Sequence, residues 1–161
     1  MRKILVVVGL LFLSIGVHAQ FEKGTWLVNP SITGLEFSWN KDSKAKFGFG
    51  VQGGAFLADN VVLLVDGEAA WTSPLDVYSL GVGGRYYFNK TGIYLGTGLY
   101  ASRINPKVGK NINDYSLKLE AGYAFFLSKT VTIEPAIYYH QSFKDSDYSE
   151  FGLKIGFGFY F

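Results

Sequence analysis

From residue 148 to its last residue the chain reads YSEFGLKIGFGFYF. Phe151, Leu153, Ile155, Phe157, Phe159 and Phe161 take every second position, with Glu150, Gly152, Lys154, Gly156, Gly158 and Tyr160 between them. A repeat of two places these sets on opposite faces of an extended strand. The same pattern returns upstream. Phe47, Phe49, Val51, Ala55 and Leu57 alternate with Gly48, Gly50, Gln52 and Gly54; Tyr78, Leu80, Val82, Gly84, Tyr86 and Phe88 alternate with Ser79, Gly81, Gly83, Arg85 and Tyr87. Tyr115, Leu117, Leu119, Ala121, Tyr123 and Phe125 likewise alternate with Ser116, Lys118, Glu120, Gly122 and Ala124. A helix cannot use such a pattern, so the chain is read as all-β.

The breaks in alternation divide it into eight strands near 25–39, 46–57, 61–72, 77–88, 93–104, 114–126, 131–143 and 148–161. Every second connection is tight: Ala58-Asp59-Asn60, Asn89-Lys90-Thr91-Gly92 and Ser128-Lys129-Thr130. The others, at 40–45, 73–76, 105–113 and 144–147, are mostly longer and more polar. An even strand number, with short turns at one end and longer loops at the other, predicts an eight-stranded antiparallel up-and-down transmembrane β-barrel. In the first strand Trp26, Val28, Pro30 and Ile32 hold one parity and Leu35, Phe37 and Trp39 the other, which predicts a bulge near Gly34. Pro30 and Pro135 each remove one ladder hydrogen bond.

The faces decide which solvent the barrel meets. The less apolar face carries Gly, Ser, Tyr and scattered charges, too thin a coat for water but suited to a narrow lumen. The bulky face therefore points into hydrocarbon, which a strand of roughly 9 to 11 residues crosses. Trp39, Trp71, Tyr78, Tyr115 and Tyr139 fall at loop ends of that face, and Trp26, Phe88, Tyr123, Phe125, Phe159 and Phe161 at turn ends, as two interfacial girdles require. The inward parity collects Asp66, Glu68, Arg85, Lys118, Glu120, Glu134 and Lys154, read as an ion-paired plug. The opposite assignment of faces would make the chain a secreted, soluble, lipocalin-like carrier.

Residues 1–19, MRKILVVVGLLFLSIGVHA, place Arg2 and Lys3 before a short apolar run and small residues before a cut, the pattern of a cleavable signal peptide; residues 20–161 form the barrel domain. Removing Arg2 and Lys3 takes 15 basic residues to 13, equal to the 13 acidic ones. A neutral mature chain gives no basis for a nucleic-acid partner. With no cysteine it has neither disulfides nor a thiolate metal site.

These residues resemble the small eight-stranded outer-membrane barrels, similar to outer-membrane protein X and the membrane domain of outer-membrane protein A. The carriers are the leader MRKILVVVGLLFLSIGVHAQ, the alternating segments and the closing KIGFGFYF. The resemblance implies export to the outer membrane of a Gram-negative bacterium and a monomer among outer-membrane lipids and lipopolysaccharide. It also implies an assembly signal in Phe157, Phe159 and Phe161, read by the barrel-assembly machinery. The short loops depart from the adhesion and invasion members.

His140, Ser142 and Glu150 also look like the His-x-Ser and Glu arrangement of the lipid A deacylases, themselves eight-stranded barrels, although Phe143 stands where that family usually has Asn. A serine nucleophile needs an adjacent base, and the strand parity turns both His140 and Ser142 inward, away from a lipid substrate. The sequence is therefore read as a non-enzyme with a structural or interaction role in the envelope, the deacylase and a narrow channel for small or apolar solutes standing as alternatives. Asp145, Asp147 and Glu150 read as a solvated acidic loop, since calcium demands more oxygen ligands than these supply. No metal and no cofactor are expected. Gly81-Val82-Gly83-Gly84 and Gly96-Thr97-Gly98 precede no helix and read as small lumen-facing residues rather than phosphate loops.

Overall fold

The structure, a computed structural model, describes residues 21–33, 47–71, 75–89, 91–107 and 109–161. The signal segment, Gly34, Leu35, Phe37 and Trp39 lie outside them, and with them the expected bulge of the first strand. Nine strand segments follow in order: β1 (Trp26–Thr33), β2 (Phe47–Ala58), β3 (Val61–Trp71), β4 (Leu75–Tyr87), β5 (Ile93–Pro106), β6 (Ile112–Tyr123), β7 (Phe125–Phe126), β8 (Val131–Ser142) and β9 (Glu150–Tyr160). Apart from β6 and β7, each pairs antiparallel with the next, and β1 closes on β9 through Leu27 opposite Tyr160 and Ile32 opposite Ile155. β7 continues β6, because both pair with β8 in one register (Gly122 opposite Ala136, Phe125 opposite Ile133). The result is a closed antiparallel barrel of eight staves.

Both prolines leave a mark on the ladders. The β6/β7 stave loses its pairing at Tyr123 and Ala124, opposite Pro135 and Glu134, while Pro135 stays paired with Ile155 on its other side. The β1–β9 seam likewise lacks pairing at Asn29 and Pro30, although Pro30 faces Val51 across β2. A missing N–H on one side of each proline accounts for both gaps.

The tight turns use the residues their geometry demands. Asn60 turns with φ of 66°, and its N–H donates to the Phe21 carbonyl at 2.6 Å. Gly92 has φ of 78°, and a Cβ there would lie 2.8 Å from the Ala124 oxygen, so only glycine serves. At the opposite end β4 begins two residues earlier and β5 runs two residues further than the alternation alone predicts, which shortens the 105–113 loop. Alternation fades there because Asp76, Asn105 and Pro106 are not strand-like in composition, yet Asp76 pairs with Asn105 and Leu75 with Pro106. One 3₁₀ turn, Ser146–Tyr148, lies in the last loop.

The wall is apolar on its outer side. Leu80 is 70% exposed, Trp26 62% and Val65 61%, and Phe49, Val82, Leu99, Leu119, Ile137 and Phe151 are exposed with them. This inverts the arrangement of a soluble carrier and excludes the lipocalin-like reading.

Candidate functional site in the barrel lumen

The lumen is filled in layers. At the turn end Phe21, Leu27, Phe56, Val62, Leu64, Tyr87, Tyr94 and Tyr160 are buried together. Phe21, from the segment ahead of β1, stacks on Tyr87 with ring centroids 4.1 Å apart and meets Phe126 at 5.5 Å. The sequence reading missed this apolar layer. Leu27, Phe56, Val62, Leu64, Tyr87 and Tyr160 all sit on inward parities, which the alternation of their strands marks for Tyr87 and Tyr160 but not for Val62 and Leu64, whose run is aliphatic on both faces.

Charges take over at mid-depth. Arg85 Nη1 donates to Glu134 Oε2 at 2.9 Å, and Arg85 Nη2 lies 2.9 Å from Glu120 Oε1 in an ion pair. Lys154 Nζ reaches Glu120 Oε2 at 2.6 Å, and Lys118 binds Glu68 and lies 3.7 Å from Asp66 Oδ2. The seven charged residues expected on the inward parity thus meet in one network. Asp66, Arg85, Lys118, Glu120, Glu134 and Lys154 are buried, and Glu68 is half-buried toward the loop end.

Neutral side chains not foreseen from the sequence complete it. Gln52 donates to Asp66, and its oxygen accepts from Arg85 and from Lys154, the latter at 3.1 Å. Asn29 Nδ2 (2.6 Å), Thr132 Oγ1 (2.7 Å) and Tyr160 (2.7 Å) donate to Glu134, and Tyr100 donates to Asp66. Arg85 also lies 4.5 Å from the Tyr94 ring, and Lys118 4.8 Å from that of Tyr100. Every stave contributes: Asn29 from β1, Gln52 from β2, Asp66 from β3, Arg85 from β4, Tyr100 from β5, Lys118 from β6, Glu134 from β8 and Lys154 from β9. A void bounded by Gln52, Asp66, Arg85, Tyr100, Lys118 and Glu120 measures about 20 Å³, enough for about one water.

Three lumen tyrosines lie flat against glycines of the paired strand. A Cβ on Gly81 would stand 2.5 Å from the Tyr100 ring, one on Gly122 2.4 Å from Tyr94, and one on Gly152 2.5 Å from Tyr138. Gly81, Gly83, Gly96 and Gly98 thus make room for side chains and close strands; Gly96 faces Arg85 and Glu120.

Toward the loops the lumen becomes polar. Ser142 Oγ donates to Asp114 Oδ1 at 2.6 Å and accepts the backbone N–H groups of Lys144 and Asp145 at 3.1 and 3.3 Å. Its one proton is committed to Asp114, and it makes no hydrogen bond to His140. His140 Nδ1 lies 3.4 Å from Ser116 Oγ, with its ring edge-on to Tyr100 and Tyr138. Glu150 accepts from Tyr138 at 3.0 Å. These three residues share a lumen rim without the serine-to-base hydrogen bond of a nucleophilic site. Asp145 accepts from the Asp147 N–H at 3.1 Å and so caps the 3₁₀ turn. Among the described residues no group of three or more metal-ligating side chains comes together.

Outside, Trp26, Trp71, Tyr78, Phe88, Tyr115, Tyr139, Phe157, Phe159 and Phe161 are exposed. Tyr123 and Phe125 are half-buried and packed on each other at 4.3 Å. Trp26 and Phe161 exchange two backbone hydrogen bonds, 2.9 and 3.0 Å, that fasten the barrel seam at its turn end.

An eight-stave barrel with an apolar exterior and a polar interior is the architecture of small transmembrane barrels, and solved structures bear this out. The chain is similar to the N-terminal β-barrel domain of Pseudomonas aeruginosa OprF, at 16% identity over 86% of this chain and 98% of that one, with a TM-score of 0.65. It is similar to Neisserial surface protein A, at 15% identity over 85% of this chain and 96% of that one, TM-score 0.65. Ail of Yersinia pestis in a phospholipid bilayer nanodisc matches at 15% identity over 86% of this chain and 100% of that one, TM-score 0.59. No protein-family model matches the sequence, and neither does any curated protein. The chain has the fold of the small eight-stranded outer-membrane barrels.

Proposed function

We propose that the protein is an integral outer-membrane barrel of a Gram-negative envelope, exported by its leader, whose lumen is plugged and whose role is structural or interactive rather than enzymatic. The observation that carries this reading is the pairing of a hydrocarbon-compatible exterior with a lumen network to which all eight staves contribute. Eight staves leave an interior that side chains just fill, and the 20 Å³ void within the network supports a plug over an aqueous path. The exposed aromatics near both ends serve as interfacial girdles. Phe157, Phe159 and Phe161 on the final strand are the segment for the assembly machinery, presented as an open strand edge before closure. Outer-membrane lipids and lipopolysaccharide are the natural partners of such a wall.

The test is a planar-bilayer recording on protein whose folding is established by slower or faster gel migration before boiling. A folded, non-conducting barrel is the expected result. Steady conductance by folded protein would favour the narrow channel instead. The deacylase alternative predicts altered lipid A on overexpression that disappears in Ser142→Ala; with the Ser142 proton on Asp114, unaltered lipid A is expected.

A further inference from the structure

The outer wall is not uniformly bulky. Near the loop end two rows of paired residues run around the barrel: Phe49, Ala69, Tyr78, Arg103, Asn113 and, one step toward the turn end, Val51, Gly67, Leu80, Ala101, Tyr115. Gly67, Ala69 and Ala101 are too small to fill their places, and a depression of about 520 Å³ opens over them. Its walls are Phe49, Tyr78, Leu80 and Tyr115. A Cβ added at Gly67 would meet only Leu80 Cδ2, at 3.8 Å. The volume falls within the range of roughly 300 to 1,000 Å³ typical of small-molecule pockets.

Arg103 stands at the loop-end edge of this depression. Among the described residues it is the one cation on the outward parity of any strand. It is exposed and forms no ion pair with another described residue, including Asp76 one diagonal step nearer the loop. A charged side chain on a lipid-facing wall is disfavoured at the midplane and tolerated near the interface, where phosphate groups lie. Further cations continue upward from it. Lys107 and Lys110 are exposed in the β5–β6 loop, and Lys144 reaches the Asn113 carbonyl at 3.5 Å, beside Arg103 in the same row. The carboxylates nearby are Asp76, Asp145 and Asp147, of which Asp145 is occupied in capping the last loop, and Glu68 and Asp114, which border the depression from the inward parity and are engaged there by Lys118 and by Ser142.

An apolar trough under several cations matches an amphiphile whose head carries more than one phosphate. The loop end of such barrels faces the outer leaflet. The geometry points to a lipid-binding site: the depression over Gly67, Ala69 and Ala101 seats an acyl chain of a polyphosphorylated outer-leaflet glycolipid of the lipid A type, and Arg103 pairs with one of its phosphates. A bidentate guanidinium contact gives this pairing its strength. The inference rests on the outer-membrane reading above.

The experiment uses the full mature chain in nanodiscs of zwitterionic phospholipid, titrated with lipid A or with phosphatidylglycerol and read by native mass spectrometry, each sample first checked for its boiling-dependent gel shift. One lipid A per barrel is expected, with phosphatidylglycerol much weaker. Arg103→Ala should weaken lipid A binding about tenfold to a hundredfold, Arg103→Lys less, and Gly67→Phe should block the trough while Arg103 remains. Equal binding of phosphatidylglycerol, or lipid A binding unchanged in both Arg103→Ala and Gly67→Phe, overturns the site. Folded barrels that retain no lipid A overturn it too, while leaving the outer-membrane reading intact. Wild-type protein without a gel shift would overturn that reading itself.

Discussion

The turn end and the middle of the lumen are built on the same inward parity of the same strands, yet they fill it in opposite ways. Phe21, Phe56, Tyr87 and Tyr160 close the turn end by packing rings at centroid distances between 4.1 and 6.3 Å. A few residues further along, Arg85, Lys118, Lys154 and four carboxylates fill the same cross-section with charge. Packing is forgiving, because each lost contact is small and neighbours relax. A buried ionic network is not, because removing one member strands its partners. The lumen therefore has a tolerant end and an intolerant centre.

Arg85→Ala should break this contrast most visibly. It leaves Glu120 with Lys154 at 2.6 Å and Lys118 at 4.0 Å and strips Glu134 of the only cation paired with it among the described residues, so a loss of about 3–5 kcal/mol is expected. Urea titration of folding into phospholipid vesicles, read by the gel shift, measures it. A loss below about 1 kcal/mol would mean that water or rearranged partners satisfy the network, and the centre would not be intolerant. Glu134→Gln in the Arg85→Ala background should recover part of the loss, because the stranded charge goes with it.

Phe21→Ala tests the tolerant end. Truncating a buried phenylalanine costs about 3–5 kcal/mol in a rigid core, and the value here should fall at or below the bottom of that range. Phe21 belongs to a segment ahead of β1 held by the Asn60 N–H and by ring contacts, which can shift to fill the space. A cost equal to that of Arg85→Ala would erase the distinction between the two regions.

How much of this was legible in the sequence follows the same division. Charged residues on an inward parity announce themselves, because Asp66, Arg85 or Lys154 has no reason to sit between apolar neighbours unless the two faces meet different media. The apolar layer was hidden for the opposite reason. In Val61-Val62-Leu63-Leu64-Val65 both faces are aliphatic, so nothing in the letters distinguishes Val62 and Leu64, which face the lumen, from their lipid-facing neighbours. Gln52, Asn29 and Tyr100 were passed over because a neutral polar side chain gains its role only from the charges across the lumen, which register alone brings together. The strand count was plain from turn chemistry. The interruption of β6 at Ala124 was not, because its cause, Pro135, lies on the neighbouring strand.

The smallest expected effects sharpen the comparison within single strands. Gly152→Ala places a Cβ 2.5 Å from the Tyr138 ring and hydroxyl, so the ring must tilt and its 3.0 Å bond to Glu150 must lengthen. Overpacking of this kind costs about 1–3 kcal/mol. Gly53→Ala provides the matched control, since a Cβ there meets nothing within 4 Å, and its effect should stay within about 0.5 kcal/mol. The same vesicle titration measures both. Should the two alanines prove equally mild, the tyrosine would have room to move, and the Tyr–Gly contacts would be consequences of strand register rather than constraints on it. A clear gap between them would instead make the flat tyrosines part of what fixes the register, since a slip by one residue puts a side chain where only a glycine fits.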